Sequence, residues 1–229
     1  MTGRWFPSVT LVFICLLASG CSDSTGPGAN NLLRALSAGD DHGCLLLDSG
    51  ALHCWGWGAF GQLGPGDTID YNVPIKVSGE HEFKTASAGS AHTCALTEDG
   101  TAFCWGGNAV GALGNPTATF KSKTPVKVDG NLHFRSISSG TGYTCGVTLN
   151  NRGYCWGSGT DGELGTGVFE DEFAPTQVTG DLLFSRISAS LFHTCGLTIA
   201  GAAYCWGSNL YGMLGNGTVD PSASPLPVK

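Results

Sequence analysis

Residues 87–106 read SAGSAHTCALTEDGTAFCWG, and related versions of this stretch occur four times in the 229-residue chain. The triplet Cys-Trp-Gly recurs every 50 or 51 residues, and another Cys stands ten residues before each copy. Leu-Gly follows each triplet, and a Pro then begins the last segment of each unit, at Pro74, Pro125, Pro175 and Pro225. A register kept over about 200 residues indicates internal duplication of a unit of about 50 residues.

The second unit predicts four short β-strands. Strands at Phe83–Ala88 and His92–Thr97 are followed by the turn 98–100, and a third strand at 101–105 completes a hairpin. A fourth strand is predicted at 125–128, because Pro is tolerated at a strand start or edge. No segment has a sustained period of 3.6, and the 36 Gly residues argue against helices. Four strands in each repeated unit predict the blades of a β-propeller, with a β-solenoid as the alternative.

The order Ser-Ala-Gly-x-x-His-Thr-Cys-Ala-Leu-Thr, Asp-Gly, Cys-Trp-Gly, Gly-x-Leu-Gly and Pro-x-x-Val resembles the regulator of chromosome condensation repeat. The resemblance covers four repeats, at about 32–79, 80–130, 131–180 and 181–229. It implies an all-β propeller, which in this family usually has seven blades. With four units we expect an open or incomplete ring, and the alternatives are a closed four-bladed ring and assembly with further copies. Members of the family serve as exchange factors, chromatin binders, photoreceptors or inhibitors, so the resemblance does not fix a function.

The paired cysteines of each unit predict one disulfide within each hairpin. With a three-residue turn at 98–100, Cys94 faces Cys104 across two antiparallel strands, within disulfide reach. The predicted pairs are Cys44–Cys54, Cys94–Cys104, Cys145–Cys155 and Cys195–Cys205. Closing a loop of about 11 residues contributes roughly 2–3 kcal/mol per bridge in the chain-entropy model. Zinc ligands and reactive thiols are the alternatives, but zinc favours a Cys-x-x-Cys spacing that these pairs lack, so we predict no metal site.

The first 20 residues predict a secretory signal, because Arg4 precedes an apolar stretch at 9–18 that is too short to span a bilayer. Residues 17–21 read LASGC and resemble the lipobox of bacterial lipoproteins, although Leu17 stands four residues before Cys21 instead of three. The resemblance implies cleavage before Cys21 and its acylation, followed by a polar tether that extends to residue 31. An ordinary cleaved signal is the alternative. We expect an exported protein held by its lipid anchor in the bacterial cell envelope, at the outer membrane or cell surface.

The segments between Leu-Gly and Pro differ from unit to unit, unlike the residues that flank them. They cover 65–73, 115–124, 166–174 and 216–224, and variable loops on a rigid scaffold often carry binding sites. Aromatic side chains on or beside these loops are typical anchors in protein recognition. The candidate binding residues are Trp57, Phe60, Tyr71, Phe120, Phe169, Glu170, Asp171, Glu172, Phe173 and Tyr211. Ordinary solvated loops, and a calcium ion at the acidic run 170–172, are the alternatives.

Two glycines lie within matches to the dinucleotide-binding fingerprint, Gly58 and Gly159. No strand–helix unit surrounds them, so we do not interpret these matches as a nucleotide site. Asn108 and Asn209 take the same position in the other two units. Gly and Asn share a tolerance of left-handed backbone, so the position predicts a positive φ in a turn.

His42, His92 and His193 each stand two residues before the first Cys of a unit, where the third unit has Tyr143. A recurring polar ring at a strand start predicts a structural hydrogen bond, and convergence of three His on a metal is the alternative. The remaining histidines stand alone, and neither a Ser-His-Asp group nor paired carboxylates recur. The sequence therefore predicts no catalytic residue and no cofactor.

The acidic residues outnumber the basic ones, and the formal net charge is −7. This balance disfavours nucleic acid as a partner, because proteins that bind nucleic acid usually present a basic face. We expect a non-enzymatic protein-interaction module of the cell envelope, whose partner is a protein or a surface polymer. The alternative is a propeller that binds or processes surface polysaccharide. A nucleotide-exchange role is disfavoured, because export and paired cysteines separate the chain from cytosolic GTPases.

Overall fold

A computed structural model describes residues 32–229 as sixteen β-strands in four sheets. Each sheet contains four consecutive antiparallel strands, so the four repeats fold as four blades and the all-β prediction is confirmed. The predicted signal at 1–20, the lipidated Cys21 and the tether up to residue 31 lie outside the described residues. None of the described residues forms a helix with the length and hydropathy that a membrane span requires.

The strands follow each other in chain order within each blade. The first blade contains β1 (Leu33–Ala38), β2 (His42–Leu47), β3 (Leu52–Gly56) and β4 (Tyr71–Lys76). The second contains β5 (Phe83–Ala88), β6 (His92–Thr97), β7 (Ala102–Gly107) and β8 (Lys121–Lys127). The third contains β9 (Phe134–Ser139), β10 (Tyr143–Thr148), β11 (Gly153–Gly157) and β12 (Glu172–Gln177). The fourth contains β13 (Phe184–Ala189), β14 (His193–Thr198), β15 (Ala203–Gly207) and β16 (Ser222–Pro227).

The blades are arranged as an open ring. The inner strands β1, β5, β9 and β13 contact one another in series, and β5, β9 and β13 also pack on the second strand of the preceding blade. Contacts between sheets therefore run from the first blade to the second, third and fourth, which confirms the expected open ring. We call the surface that a blade presents to the next blade its rear surface, and the opposite surface its front surface.

The hydrophobic core lies between blades rather than within one sheet. Phe83 and Trp105 on the front surface of the second blade pack against Cys44, Leu46 and Leu63 of the first blade. Equivalent clusters join the second blade to the third and the third to the fourth. The four predicted disulfides are present, each with a Cα–Cα distance of 4.1 Å between directly paired residues, and they lie on the rear surfaces. In the first three blades, the bridge therefore crosslinks the hairpin on which the next blade packs.

The outer strands begin earlier than predicted. β8 begins at Lys121 rather than at residue 125, and Pro125 lies inside it. The register between β7 and β8 shifts between Cys104 and Gly106, so Pro125 lies where the regular ladder is interrupted. A residue without an N–H group is tolerated there, because β8 is an edge strand with a bulge.

Tryptophan side chains hold neighbouring blades together at a fixed point. The indole Nε1 of Trp105, Trp156 and Trp206 donates a 2.9 Å hydrogen bond to a carbonyl in the preceding blade, at Gln62, Ala112 and Glu163 respectively. All three indoles are fully buried. Each accepting carbonyl belongs to the long loop after the third strand of its blade, so the recurring Trp fixes that loop as well as filling the core.

Candidate functional site

Two kinds of connection emerge on the same side of the ring. Because the first and third strands of each blade run in the same direction, the turns after the first strands and the loops after the third strands lie together. We call this side the loop face, and the opposite side, with the turns between second and third strands, the hairpin face. The loop face comprises the turns 39–41, 89–91, 140–142 and 190–192 and the loops 57–70, 108–120, 158–171 and 208–221.

The long loops are closed by side-chain hydrogen bonds in two alternative ways. In the first blade, the backbone N–H of Gly58 donates to the Asp70 carboxylate at 2.8 Å, and Gly159 and Asp171 repeat this pairing in the third at 3.0 Å. In the second blade, the side chain of Asn108 spans the loop. Its amide nitrogen donates to the carbonyls of Ala118 and Thr119, and its oxygen accepts from the N–H of Leu113.

The predicted left-handed backbone at this position is wrong. None of Gly58, Asn108, Gly159 and Asn209 is among the residues of the described chain with positive φ. Glycine instead supplies space, because a Cβ on Gly58 would collide with the carbonyl oxygen of Ile69. The long loop is therefore closed in one of two ways. Either a glycine N–H donates to an aspartate across the loop, or an asparagine side chain spans the loop by itself.

Two of the three recurring histidines, His42 and His92, make the structural hydrogen bond that the sequence predicts. His42 Nε2 lies 2.7 Å from the Thr93 hydroxyl, and His92 Nε2 lies 2.9 Å from that of Thr144. Thr93 donates its own proton to the Gln62 carbonyl, so His42 is the donor and its ring is the neutral Nε2–H tautomer. Burial lowers the pKa of His42 to about 4 and that of His92 to about 3.

The third blade places a tyrosine in the same position. The hydroxyl of Tyr143 lies 3.0 Å from that of Thr194 and donates to the carbonyl of His193 at 2.8 Å. Burial raises the pKa of Tyr143 well above its usual value. These rings therefore connect the second strand of one blade to that of the next. Among residues 32–229, no group of three or more His, Cys, Asp or Glu side chains is arranged to hold a metal ion.

The structure exposes most of the predicted aromatic side chains and buries others in part. Trp57 is 37% exposed and packs edge-to-face on Phe60, with ring centroids 5.2 Å apart. Tyr71 lies against the core below the first loop, and its hydroxyl donates to Asp67 at 2.8 Å. The other predicted aromatic residues, Phe120, Phe169, Phe173 and Tyr211, are exposed. Tyr71 thus has a structural role, whereas these four are presented to solvent.

The predicted acidic residues of the third loop take different positions. Glu170 is exposed, and Glu172 is half-exposed at the start of β12. Asp171 is half-exposed and accepts the hydrogen bond that closes the loop. The run 170–172 is thus partly a structural element of the loop and partly a source of negative charge at its surface.

Sequence reasoning missed an apolar group on the fourth blade. Leu191 and Phe192, in the turn before β14, are 50% and 45% exposed, and Leu210 in the following loop is 75% exposed. This group could have been found by comparing the repeats, because the equivalent turn positions in the first blade are the polar residues Asp40 and Asp41. The six exposed aromatic side chains of the described chain all lie on the loop face or at the first residues of the strand that follows: Trp57, Phe120, Phe169, Phe173, Phe192 and Tyr211.

An apolar pocket lies where the loops of the first three blades meet. Its volume is about 140 Å³, and its lining includes Phe60 from the first blade, Ala91, Val110 and Phe120 from the second, and Gly142 from the third. Phe120 is 64% exposed. The backbone N–H of Asn108 donates to the Phe120 carbonyl at 2.7 Å, which fixes the backbone that carries this ring.

Comparison with known proteins places the repeat in a family. A model of the regulator of chromosome condensation (RCC1) repeat matches residues 49–96, 99–147 and 151–197, more than half of the chain. The chain belongs to the RCC1 repeat family. A second model of the same repeat matches residues 34–62, 83–112 and 184–212, so every blade contributes to the assignment.

Relatives of this RCC1 repeat chain are longer proteins. The chain is 32% identical over 147 residues to the ultraviolet-B receptor UVR8 of Arabidopsis thaliana, which is 64% of this chain and 22% of the receptor. Human WBSCR16 superposes with a TM-score of 0.80 at 24% identity, over 87% of this chain and 54% of the other. Prp20p of Saccharomyces cerevisiae superposes with a TM-score of 0.79 at 23% identity, over 89% and 52%. The two superpositions show that the blades follow the RCC1 propeller fold.

Proposed function

We propose that this chain is a non-enzymatic protein-binding scaffold whose loop face carries the binding surface. The observation that supports the proposal is the position of the exposed aromatic side chains, which all lie on or beside one face. Aromatic residues bury a large area for little loss of side-chain freedom, and they are enriched at the centres of protein interfaces. The long loops are closed by side-chain hydrogen bonds, which lowers the ordering cost of binding.

The family supports the same role. RCC1-type propellers are mostly binding or regulatory proteins. The solved structure of Prp20p was described together with its binding to Gsp1p and histones. The present chain covers about half of that protein, so this support concerns the class of function, protein binding, and leaves its own partner to be identified.

The proposal includes export to an oxidising compartment and a lipid anchor. Disulfides persist in oxidising compartments, and each blade of this chain contains one. The sequence at 17–21 resembles a lipobox. We propose that Cys21 is acylated after export and tethers the propeller to the cell envelope, with the residues up to 31 as the spacer.

Site-specific photo-crosslinking in living bacteria tests the binding surface. A photoreactive residue replaces Phe120 on the loop face or, as the matched control, Leu149 on the hairpin face, since the two side chains are 64% and 61% exposed. We expect discrete protein adducts from position 120 and none from position 149. Equal adducts from both positions, or none from any loop position, would contradict the proposal. Adducts that disappear on digestion of envelope polysaccharide would favour the polysaccharide-binding alternative.

Fatty-acid labelling tests the anchor. The unaltered chain is expected to incorporate a labelled fatty acid and to sediment with membranes. Cys21→Ser removes the acceptor thiol and should abolish both, whereas Ser22→Ala beside it should change neither. Labelling that survives in Cys21→Ser, or that never occurs in the unaltered chain, would exclude the proposed anchor without bearing on the loop face.

A further inference from the structure

The apolar pocket of the loop face has the size of one side chain. An apolar cavity of about 150 Å³ holds a molecule as large as benzene, and the pocket between Phe60, Val110 and Phe120 measures about 140 Å³. Three blades contribute to its walls, and the Phe120 ring at its rim is largely exposed. A single Leu-sized side chain fits such a pocket, and burying it would contribute about 1.5–3 kcal/mol.

Charge is distributed unequally between the two faces of the ring. Seven basic residues of the described chain lie in turns or at strand ends that border the hairpin face: Arg34, Lys76, Lys84, Lys127, Arg135, Arg152 and Lys229. Arg186 lies in mid-strand, and Lys121 and Lys123 lie near the loop-face end of β8. The acidic residues at the surface of the loop face are Asp40, Asp41, Asp67, Asp70, Asp161, Glu170, Asp171, Glu172 and Asp220. With nine carboxylates against two lysines, the loop face carries a net negative charge.

The carboxylates of the two faces also differ in their partners. On the hairpin face, Arg34 pairs with Glu98 and Arg152 pairs with Asp181, each at 3.0 Å. The ion pairs found in residues 32–229 include no carboxylate of the loop face. The carboxylates of the loop face outnumber its two cations, Lys121 and Lys123 at the start of β8, so this face keeps a net negative charge, which favours a positively charged partner.

Acidic groups flank the pocket on two sides. The loop that forms its wall, 108–120, contains none, and the Lys121 ammonium that follows it donates to the Ala59 carbonyl at 3.2 Å. On one side, the N–H of Asp40 approaches the carbonyl of Gly89, two residues before the pocket residue Ala91. On the other side, the Cα of Phe173 lies against Gly111, next to Val110, and so places the run 170–172 beside the second loop. An apolar group in the pocket would therefore have carboxylates on either side of it.

We propose that the loop face binds a positively charged protein segment that inserts an aliphatic side chain into the pocket between Phe60, Val110 and Phe120. The proposal rests on the protein-binding function above and names the chemistry of the partner. Nucleic acids and anionic lipid surfaces are disfavoured because they would meet a face of like charge. A segment in which Lys or Arg flanks an aliphatic residue would place its cations near the carboxylates and its aliphatic side chain in the pocket.

Three 12-residue peptides separate charge from apolar contact. One alternates Lys with Leu, one alternates Lys with Ser, and one alternates Glu with Leu. The full-length protein is reconstituted in phosphatidylcholine vesicles, and binding of each fluorescent peptide is measured by anisotropy against empty vesicles. We expect the Lys-Leu peptide to bind at least about tenfold more tightly than the other two, and to weaken as salt rises.

Matched variants assign the binding to the pocket and to the acids. Phe120→Ser should weaken Lys-Leu binding about tenfold, whereas Leu149→Ser, of similar exposure on the hairpin face, should change it less than twofold. The triple change Asp40→Asn, Asp41→Asn and Glu170→Gln should also weaken it about tenfold at low salt. The control triple changes the net charge equally on the hairpin face: Asp48→Asn, Glu80→Gln and Asp129→Asn. All six carboxylates are exposed, so folding is preserved in both triples.

Each contrary result has a distinct meaning. Equal binding of the Glu-Leu peptide overturns the charge argument, and equal binding of the Lys-Ser peptide overturns the use of the pocket. Equal effects of the two triples overturn the assignment to the loop face. Binding of no peptide, together with crosslinks at position 120, rejects the partner class while the scaffold function stands. Absence of crosslinks as well would reject both.

Discussion

The second and fourth blades carry the same leucine in different surroundings. Leu96 is 1% exposed, whereas Leu197, at the equivalent position of β14, is 44% exposed. Each leucine pairs with an alanine across its hairpin, Ala102 or Ala203. Their exposures differ because the third blade covers the rear surface of the second, while no described strand covers that of the fourth. A blade alone therefore buries little, and stability comes from the contact between successive blades, as in other repeat proteins.

The difference extends to the polar groups that accompany the leucines. His92 is buried against Thr144 of the next blade, whereas His193 is half-exposed. The Cys145 side of the third disulfide is fully buried, whereas Cys195 is partly exposed. The repeat therefore contains its own controls, because one substitution can be made in a covered blade and again in the uncovered one.

Acid should affect the covered histidines most. The unfolded chain protonates a histidine near pH 6.5, whereas burial holds the pKa of His42 at about 4 and that of His92 at about 3. The unfolded state therefore takes up protons first, and stability that is complete above pH 6.5 falls as the pH is lowered towards 4. The expected loss is about 3 kcal/mol for each of the two rings, since one pKa unit corresponds to about 1.4 kcal/mol.

Urea unfolding at several pH values measures this loss. His92→Gln keeps a donor for Thr144 and removes the titrating ring, so it should flatten the pH dependence between 6.5 and 4. His193→Gln is the control in the uncovered blade. Burial also lowers the pKa of His193, but its half-exposed ring should contribute less. Equal flattening in the two variants would show that coverage by the next blade does not set these pKa values.

The next largest effect is expected at the tryptophans of the front surfaces. Trp156 is fully buried against the second blade and donates to the Ala112 carbonyl, so Trp156→Ala should cost about 3–5 kcal/mol of unfolding free energy. Trp55, on the front surface of the first blade, is half-exposed, and Trp55→Ala should cost less than about 2 kcal/mol. Urea unfolding followed by circular dichroism measures both. Similar losses would mean that the indoles stabilise their own sheet rather than the contact between blades.

The sequence predicts local structure well, such as the strand pairing within a hairpin. The hairpin turn at 98–100 sets Cys94 opposite Cys104, and the residues from 94 to 104 suffice to predict that pairing. The contacts between blades are harder to predict, because the sequence of a repeat does not show which of its surfaces the next blade covers. Leu96 and Leu197 lie in closely similar local sequences, yet the first is buried and the second is exposed.

The candidate site shows the same division. The variable loops could be found from the repeat alone, since they differ where their flanks agree. The exposed turn with Leu191 and Phe192 was not predicted, because it lies outside the variable loops in the sequence. Only the strand directions show that it lies on the same side of the ring as those loops. The error at Gly58 arose because left-handed backbone and close approach of a carbonyl both select glycine, and sequence does not separate the two causes.

Truncating the two leucines tests the comparison directly. Leu96→Ala leaves a cavity between the second and third blades and should cost about 2–3 kcal/mol. Leu197→Ala removes a side chain that is already 44% exposed and should cost less than about 1 kcal/mol. Both substitutions keep the hairpin and its disulfide, and urea unfolding measures the difference. Equal costs would show that burial by the next blade contributes little at this position.

The smallest expected effect concerns the order in which the disulfides are reduced. All four bridges close hairpins of the same length, so the chain-entropy contribution of each is the same, roughly 2–3 kcal/mol. What differs is access, because attack by an external thiolate requires an exposed sulfur and only Cys195 among the eight is partly exposed. Under limiting reductant we expect Cys195–Cys205 to open first, as measured by alkylation and peptide mass spectrometry. Simultaneous opening of all four would mean that reduction requires global unfolding, and earlier opening of Cys94–Cys104 would contradict coverage as the protecting factor.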